Sequence, residues 1–235
     1  MEYREQRPPP ALAAWVDCTW ERCDAGGPPV RVLPDGCIDL VWTQGAGTSV
    51  VGANTTAFLV ALAPGTHVAG VRLRPGAAPP LLGCDGAALR DARVALHELW
   101  GDDGRRLAQM LDESADRRAA LLAAVASRAA AAAAPDALVQ AAVARLARGE
   151  PSVSALAREL HVSERQLRRR VGAAVGYGPK RLGRVLRLRR ALGAARGGAA
   201  LARAAADAGY ADQAHFAGDC RELAGVPPSA LLRSA

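Results

Sequence analysis

Two segments between Ser152 and Ala230 answer each other, and together they limit what this chain can fold into. In the first, Val153, Leu156, Ala157 and Leu160 follow a helical apolar spacing that stops at His161-Val162. Ser163 and Gln166, three residues apart, then form a capping box that opens another helix. In the second, an alanine-rich helix from Leu201 runs to Gly209, a residue suited to the left-handed position past a helix end, and Asp212 caps the next helix. The pattern predicts two helix-turn-helix units whose caps, Ser163 and Asp212, stand 49 residues apart.

Charge says what such units meet. Arg165, Arg168, Arg169 and Arg170 surround Leu167 and Val171, whose four-residue spacing turns them inward and the arginines outward. Crowded arginines repel one another unless a polyanion lies against them, and a helix in the major groove supplies one. The formal net charge of +7 is unevenly placed: from Asp136 onward there are 17 Lys/Arg against 8 Asp/Glu, whereas the first 135 residues hold 13 against 15. One half carries the basic footprint, as expected when one domain binds nucleic acid and the other does not.

Ala205, Ala208-Gly209-Tyr210, Asp212, His215-Phe216, Gly225 and Pro227-Pro228-Ser229 resemble the signature of the AraC/XylS transcription regulators. Leu156-Ala157, Leu160, Val162-Ser163, Leu167, Arg169, Gly176 and Pro179 fall on the same family's pattern, so the resemblance covers about the last 100 residues. It implies an all-α, seven-helix DNA-binding domain in which a long helix joins two helix-turn-helix units that enter major grooves on one face of double-stranded DNA. Carried over residue by residue, the DNA-contacting positions are Arg165, Gln166, Arg168 and Arg169 in the first unit, and Gln213, Ala214, His215 and Arg221 in the second. Cys220 replaces the signature's second phenylalanine, and Ala217-Gly218 stand where polar or basic residues are common, so the second unit is expected to contribute affinity and register more than specificity.

Gly178-Pro179 starts the joining helix, Gly197-Gly198 ends it near Arg196, and Leu182, Val185, Leu186 and Leu192 give it an apolar stripe. At about 1.5 Å per residue it spans roughly 25 Å, which with its flanking turns suits two reading helices roughly 34 Å apart. Arg181, Arg184, Arg187, Arg189 and Arg190 line its other sides; some are expected on phosphate, with Arg187 and Arg190 the candidates, and others on acidic groups of the bundle.

The first half reads differently. Prolines and glycines punctuate six short apolar runs, Thr19 to Arg22, Val30 to Leu33, Cys37 to Trp42, Thr48 to Val51, Phe58 to Leu62 and His67 to Leu73, a spacing that predicts strands. The expected fold class is α+β: a small β-barrel or sandwich, of which a cupin-like barrel is one form, over residues 1–88, then helices over 89–134, then the all-α domain over 135–235. In the helical stretch Leu96, Leu99, Trp100, Leu107, Met110, Leu111, Leu121, Leu122 and Val125 recur at three- and four-residue steps. Ala129 to Ala134 favour continued helix, and Pro135-Asp136 breaks it and caps the next, marking the boundary between domains.

Pro34-Asp35-Gly36-Cys37-Ile38-Asp39-Leu40-Val41-Trp42, Gly70 to Gly76 and Leu81-Leu82-Gly83 also resemble an N-terminal domain of unknown function often fused to AraC-type regulators. The resemblance implies a regulatory half, with helices 89–134 as candidates for homodimer contacts and RNA polymerase as a further partner. Trp15, Trp20 and Trp42 lie in or beside strands where an aromatic ring is core or pocket wall, and Asp39 or Arg72 would orient an effector of unknown identity.

Other function classes find less support. His67, His97, His161 and His215 have no metal-ligand spacing and lie in no nucleophile motif, and Asp35 with Asp39 reads as a turn-forming Asp-Gly followed by a buried hydrogen-bonding Asp. No enzyme, cofactor or metal site is expected. The polar N-terminus from Met1 has no charged-then-apolar leader, so the five cysteines are expected to be reduced in the cytoplasm, and no apolar run reaches the roughly 18 residues of a membrane span. Two alternatives stay open: a DNA-tethered adaptor whose first half binds a protein, and a thiol or metal sensor built on Cys18, Cys23, Cys37 and Cys84.

Overall fold

The computed structural model describes residues 3–149 and 152–233; Met1 and Glu2, at the head of the polar N-terminus, lie outside them. All six predicted runs form strands: β2 (Val16–Cys23), β3 (Val30–Val32), β4 (Ile38–Thr43), β5 (Gly47–Val51), β6 (Phe58–Val60) and β7 (His67–Leu73). Two more, β1 (Arg4–Gln6) and β8 (Arg93–Ala95), carry no apolar pattern, because each is a three-residue edge strand defined only by the partner it pairs with. Six strands make one antiparallel sheet in the order β1-β2-β7-β4-β5-β8, and β3 pairs with β6 as a separate two-stranded ribbon.

Side chains alternate across a strand, and this sheet uses the two faces for different ends. Leu40, Trp42, Val50, Ala69, Val71 and Leu73 are buried on one face, covered by α3 (Asp102–Glu113) and α4 (Arg117–Ala131). Leu107 and Leu111 of α3 and Leu121 and Val125 of α4 fill that layer, so the apolar stripe expected to make dimer contacts is spent largely on the sheet, leaving Met110 half exposed. Between β7 and α3 lie the short helices α1 (Pro79–Leu82) and α2 (Leu96–Trp100).

α4 ends at Ala131 and Ala132 is extended, so the last alanines of the run are not helical as expected. Pro135 bars the residue before it from the helical region and removes an amide donor, which turns the chain before α5. Asp136 then caps α5 (Ala137–Arg148) by accepting from the Leu138 and Val139 amides. Six more helices come after it: α6 (Val153–Glu159), α7 (Glu164–Val175), α8 (Pro179–Arg196), α9 (Leu201–Asp207), α10 (Gln213–Asp219) and α11 (Pro228–Arg233), with a π turn over Cys220–Ala224 extending α10.

The two halves share one continuous apolar core. At Gly86 a Cβ would stand 2.6 Å from the Ala174 carbonyl oxygen at the end of α7, so only glycine permits that approach. Gly36, at φ +82°, turns the chain after Asp35 directly against Leu182 of α8.

Candidate nucleic-acid interface and regulatory cavity

The two helix-turn-helix units turn by the same hydrogen bonds. After α6, the His161 amide donates to the Arg158 carbonyl and the Val162 amide to Ala157; after α9, Gly209 donates to Ala206 and Tyr210 to Ala205. Both are Schellman turns with a left-handed residue past the helix end, His161 at φ 53° and Gly209 at φ 87°. Ser163 caps α7 and its reciprocal capping box with Gln166 is formed; Asp212 caps α10 through the His215 amide.

On α7, Leu167, Val171, Ala174 and Val175 are buried and Arg165, Gln166, Arg168 and Arg169 are exposed. The four arginines are not equivalent. Arg168 pairs with Glu164 one turn back at 2.7 Å, and Arg170, half-buried, reaches across to Asp136, the α5 cap, at 2.8 Å. Among the described residues Arg165 and Arg169 have no partner. Gln166 commits its carbonyl oxygen to the cap, accepting from Ser163, and keeps its amide nitrogen to offer.

The second unit presents Gln213, Ala214 and His215 at the start of α10, all exposed, while Phe216 is buried behind them. His215 stands edge-on to Tyr210 at 5.0 Å, with the Arg187 guanidinium 3.2 Å from its Nε2. Arg187 and Arg190, unlike Arg165 and Arg169, are engaged within the bundle. Arg187 lies over the Tyr210 ring and donates to Asp219, whereas Arg190 donates to the carbonyls of Leu146, Ala147 and Ala208, satisfying the ends of α5 and α9. Asp219 is buried, with a side chain only 4% exposed, and takes Arg184 at 2.8 Å, Arg187 at 3.1 Å and the Tyr210 hydroxyl at 3.1 Å. Glu222 holds the other side of Arg184 at 2.8 Å. Asp219 and Glu222 therefore bind α10 and its π turn to α8, and Cys220, fully buried, stands where the signature has phenylalanine. Arg221 is exposed and has no partner among the described residues.

Lys180, the only lysine of the chain, escaped notice in the sequence. It is exposed at the start of α8, unpaired among the described residues, and it lines a recess with Arg168, Arg181 and Arg184 and another, reaching to the second unit, with Arg184, Arg187 and His215. A lone lysine among 30 basic residues was the available signal.

In the first half, the β3–β6 ribbon and the sheet face line a half-open cavity of about 110 Å³. Trp20, Asp39 and Arg72, three of the five proposed ligand residues, line it, together with Val41, Val68, Val32, Phe58 and Val60. Trp42 and Trp15 are not among its walls: Trp42 is on the opposite face, bonded to Asp112 and stacked under Arg117, and Trp15 is buried just before β2. One residue of register decides this, since Asp39 and Val41 point one way and Leu40 and Trp42 the other. At the polar end Arg72 donates to Asp39 at 3.3 Å, to Glu5 at 3.2 Å, and stands 3.3 Å from Asp35; the Trp20 indole also donates to Asp39. Burial pushes the Asp39 carboxyl above its ordinary range, against the pull of Arg72, and Asp35 adds to the rise. Asp35, Cys37 and Arg93, absent from the sequence-based set, belong to this site, and Asp35 forms the expected turn by accepting from the Cys37 amide.

Among the described residues no helix is long and apolar enough to cross a membrane, and the five cysteines are unpaired. Residues 4–95 match a domain of unknown function, DUF6597, and residues 156–234 match a helix-turn-helix domain. None of the curated proteins matches the chain. A crystal structure of ToxT from Vibrio cholerae O395 is 10% identical with a TM-score of 0.50, the match covering 99% of this chain and 97% of that one. A second, of ToxT from Vibrio cholerae, is also 10% identical, with a TM-score of 0.49, covering 100% and 99%. At such identity the likeness is one of fold.

Proposed function

We infer that the chain, which carries a helix-turn-helix domain behind a DUF6597 domain, is a DNA-binding transcription regulator of the AraC type in which α7 reads bases and α10 docks, and that the first half governs DNA binding through a small effector. The observation that carries the reading of α7 is that Arg165 and Arg169 are exposed and unpaired at the first turns of a helix whose apolar face is fully buried. Arginine set bidentate on guanine discriminates by about 1–3 kcal/mol. Lys180 and Arg221 suit phosphate, which positions without specifying.

The test is to select DNA from a random pool with the full chain and then compare two variants on it. Arg169→Ala should relax one position of the selected site, whereas Arg221→Ala should weaken all sequences alike. Equal losses for both on selected and scrambled DNA would remove the base-reading assignment.

The effector reading rests on the cavity beside Trp20. Inside it two carboxylates, Asp35 and Asp39, face the Arg72 guanidinium, already engaged by three acids, and the remaining walls are mostly apolar, with Thr43, Asn54 and Arg93 the polar exceptions. This favours a small, largely apolar molecule with one polar end group. A confirmed effector should shift tryptophan emission in the full chain and in Trp42→Phe, but not in Trp20→Phe. Action on RNA polymerase and a homodimer complete the reading, the dimer needing a surface other than the stripe buried on the sheet.

A further inference from the structure

The walls of the cavity are fastened to different parts of the DNA-binding half. The sheet wall is packed on both halves: α3 and α4 back it, and the turns that continue it press on α5, α7 and α8 through Gly76 on Val139, Gly86 on Ala174 and Gly36 on Leu182. The Thr55 carbonyl, in the loop before the ribbon, accepts from Arg181 at 2.7 Å. The opposite wall is the β3–β6 ribbon, two strands of three residues with no strand pairing to the sheet. Two such strands are marginal alone and depend on what they touch.

On its inner side the ribbon lends Val32, Phe58 and Val60 to the cavity. Its outer side and the residue leading into it hold the second helix-turn-helix unit: Arg31 donates to the Ala224 carbonyl at 3.0 Å, and the Ala57 amide donates to Leu223 at 2.7 Å. Both acceptors end the π turn that continues α10, at the end away from Gln213 and His215. One body thus grips both reading units from behind, the first through the sheet side and the second through the ribbon.

A cavity of about 110 Å³ lies well below the roughly 300–1,000 Å³ of ordinary ligand sites. A molecule of ordinary ligand size overfills it and presses on its walls, and the ribbon is the wall that no strand pairing holds to the sheet. We propose that the ribbon is the transmitting element: filling the cavity lifts it from the sheet, and its bonds to Leu223 and Ala224 carry the second unit to a new placement relative to the first. This rests on the first half being the regulatory site, and it adds which unit is regulated and through which atoms. Occupancy alters engagement of the half-site under α10 and leaves the half-site under α7 in place.

The test uses the full chain and no ligand. Val60→Trp fills the cavity from the ribbon side; Arg31→Ala cuts one tether; the double variant closes the cycle. Two quantities are read: the affinity ratio between the selected DNA fragment and one with the second half-site scrambled, and amide exchange in segments 56–60 and 221–226. Val60→Trp should shift the ratio about tenfold, within the usual range of coupling between sites, and should speed exchange in both segments together. With Arg31→Ala added, the shift should fall to about threefold and segment 221–226 should regain protection. A ratio shift indifferent to Arg31, or exchange that changes in the ribbon alone while Arg31 is present, overturns the proposal. If Val60→Trp does not fold, Val32→Phe makes the same comparison with less added volume. Failure to select any DNA fragment would count against base reading by α7, and the exchange data would still decide the coupling.

Discussion

The two helix-turn-helix units share a turn, a capped second helix and a buried apolar anchor, yet they differ in where their positive charge goes. In the first, two of the four arginines of α7 are held by acids, Arg168 by Glu164 and Arg170 by Asp136, and Arg165 and Arg169 are left over. In the second, the nearby guanidinium groups come from α8, and Asp219 and Glu222 draw Arg184 and Arg187 inward. The same backbone device therefore leaves helix arginines unpaired in one place and draws guanidinium groups onto buried acids in the other, which is the basis for the proposal that the first unit reads and the second docks. Docking geometry comes from turns and apolar anchors; the capacity to discriminate bases comes from which donors remain unpaired once the bundle has satisfied its own acids.

The strongest way to break this contrast is to remove the buried carboxylate. Asp219→Ala leaves Arg187 and the Tyr210 hydroxyl without this acceptor and Arg184 with Glu222 alone, and should cost about 2–4 kcal/mol of unfolding free energy in urea, somewhat less than the roughly 3–5 kcal/mol of breaking a fully buried pair because the arginines are partly solvated. Binding to the half-site under α10 should be lost while that under α7 survives. A variant with unchanged urea midpoint would mean the cluster holds nothing together.

Next in size is the asymmetry of the selected DNA. Positions under α7 should each discriminate by about 1–3 kcal/mol, and positions under Gln213, Ala214 and His215 by less. Equal information content at the two half-sites would erase the distinction between the units.

The turns themselves can be exchanged. Gly209 has open space where a Cβ would stand, so Gly209→Ala tests backbone strain alone and should destabilise by about 1 kcal/mol. His161→Gly relieves the same strain in the first unit but loosens the unfolded chain, and should gain about 0.5 kcal/mol, read from urea midpoints. The smallest effect concerns Glu164, whose exposed pairing with Arg168 is worth about 0.3–0.5 kcal/mol. Glu164→Gln should barely change stability, while freeing Arg168 should steepen the salt dependence of DNA binding by about one phosphate contact.

Much of the frame was legible in the chain. The six apolar runs became strands, α8 spans the predicted Pro179 to Arg196, and both caps formed where Ser163 and Asp212 stand. β1 and β8 were not legible, since an edge strand of three polar or mixed residues is made by its neighbour. Nor was the fate of the tryptophans: Trp20 and Trp42 both sit in strands rich in apolar residues, but only one faces the ribbon.

What the sequence determined by itself is what short-range physics controls: strand and helix periodicity, capping within three residues, the left-handed turn at Gly209 after α9, and the division of charge between halves. The tertiary structure alone decided which donors are free, because their partners lie far along the chain, 34 residues from Arg170 to Asp136 and 35 from Arg184 to Asp219. It decided likewise that a cavity exists, because the ribbon that closes it pairs Val30 with Val60, and that the ribbon touches the second unit, because Arg31 meets a carbonyl 193 residues away. Composition and spacing can say that an arginine is exposed in its own helix; only packing says whether an acid reaches it before DNA does.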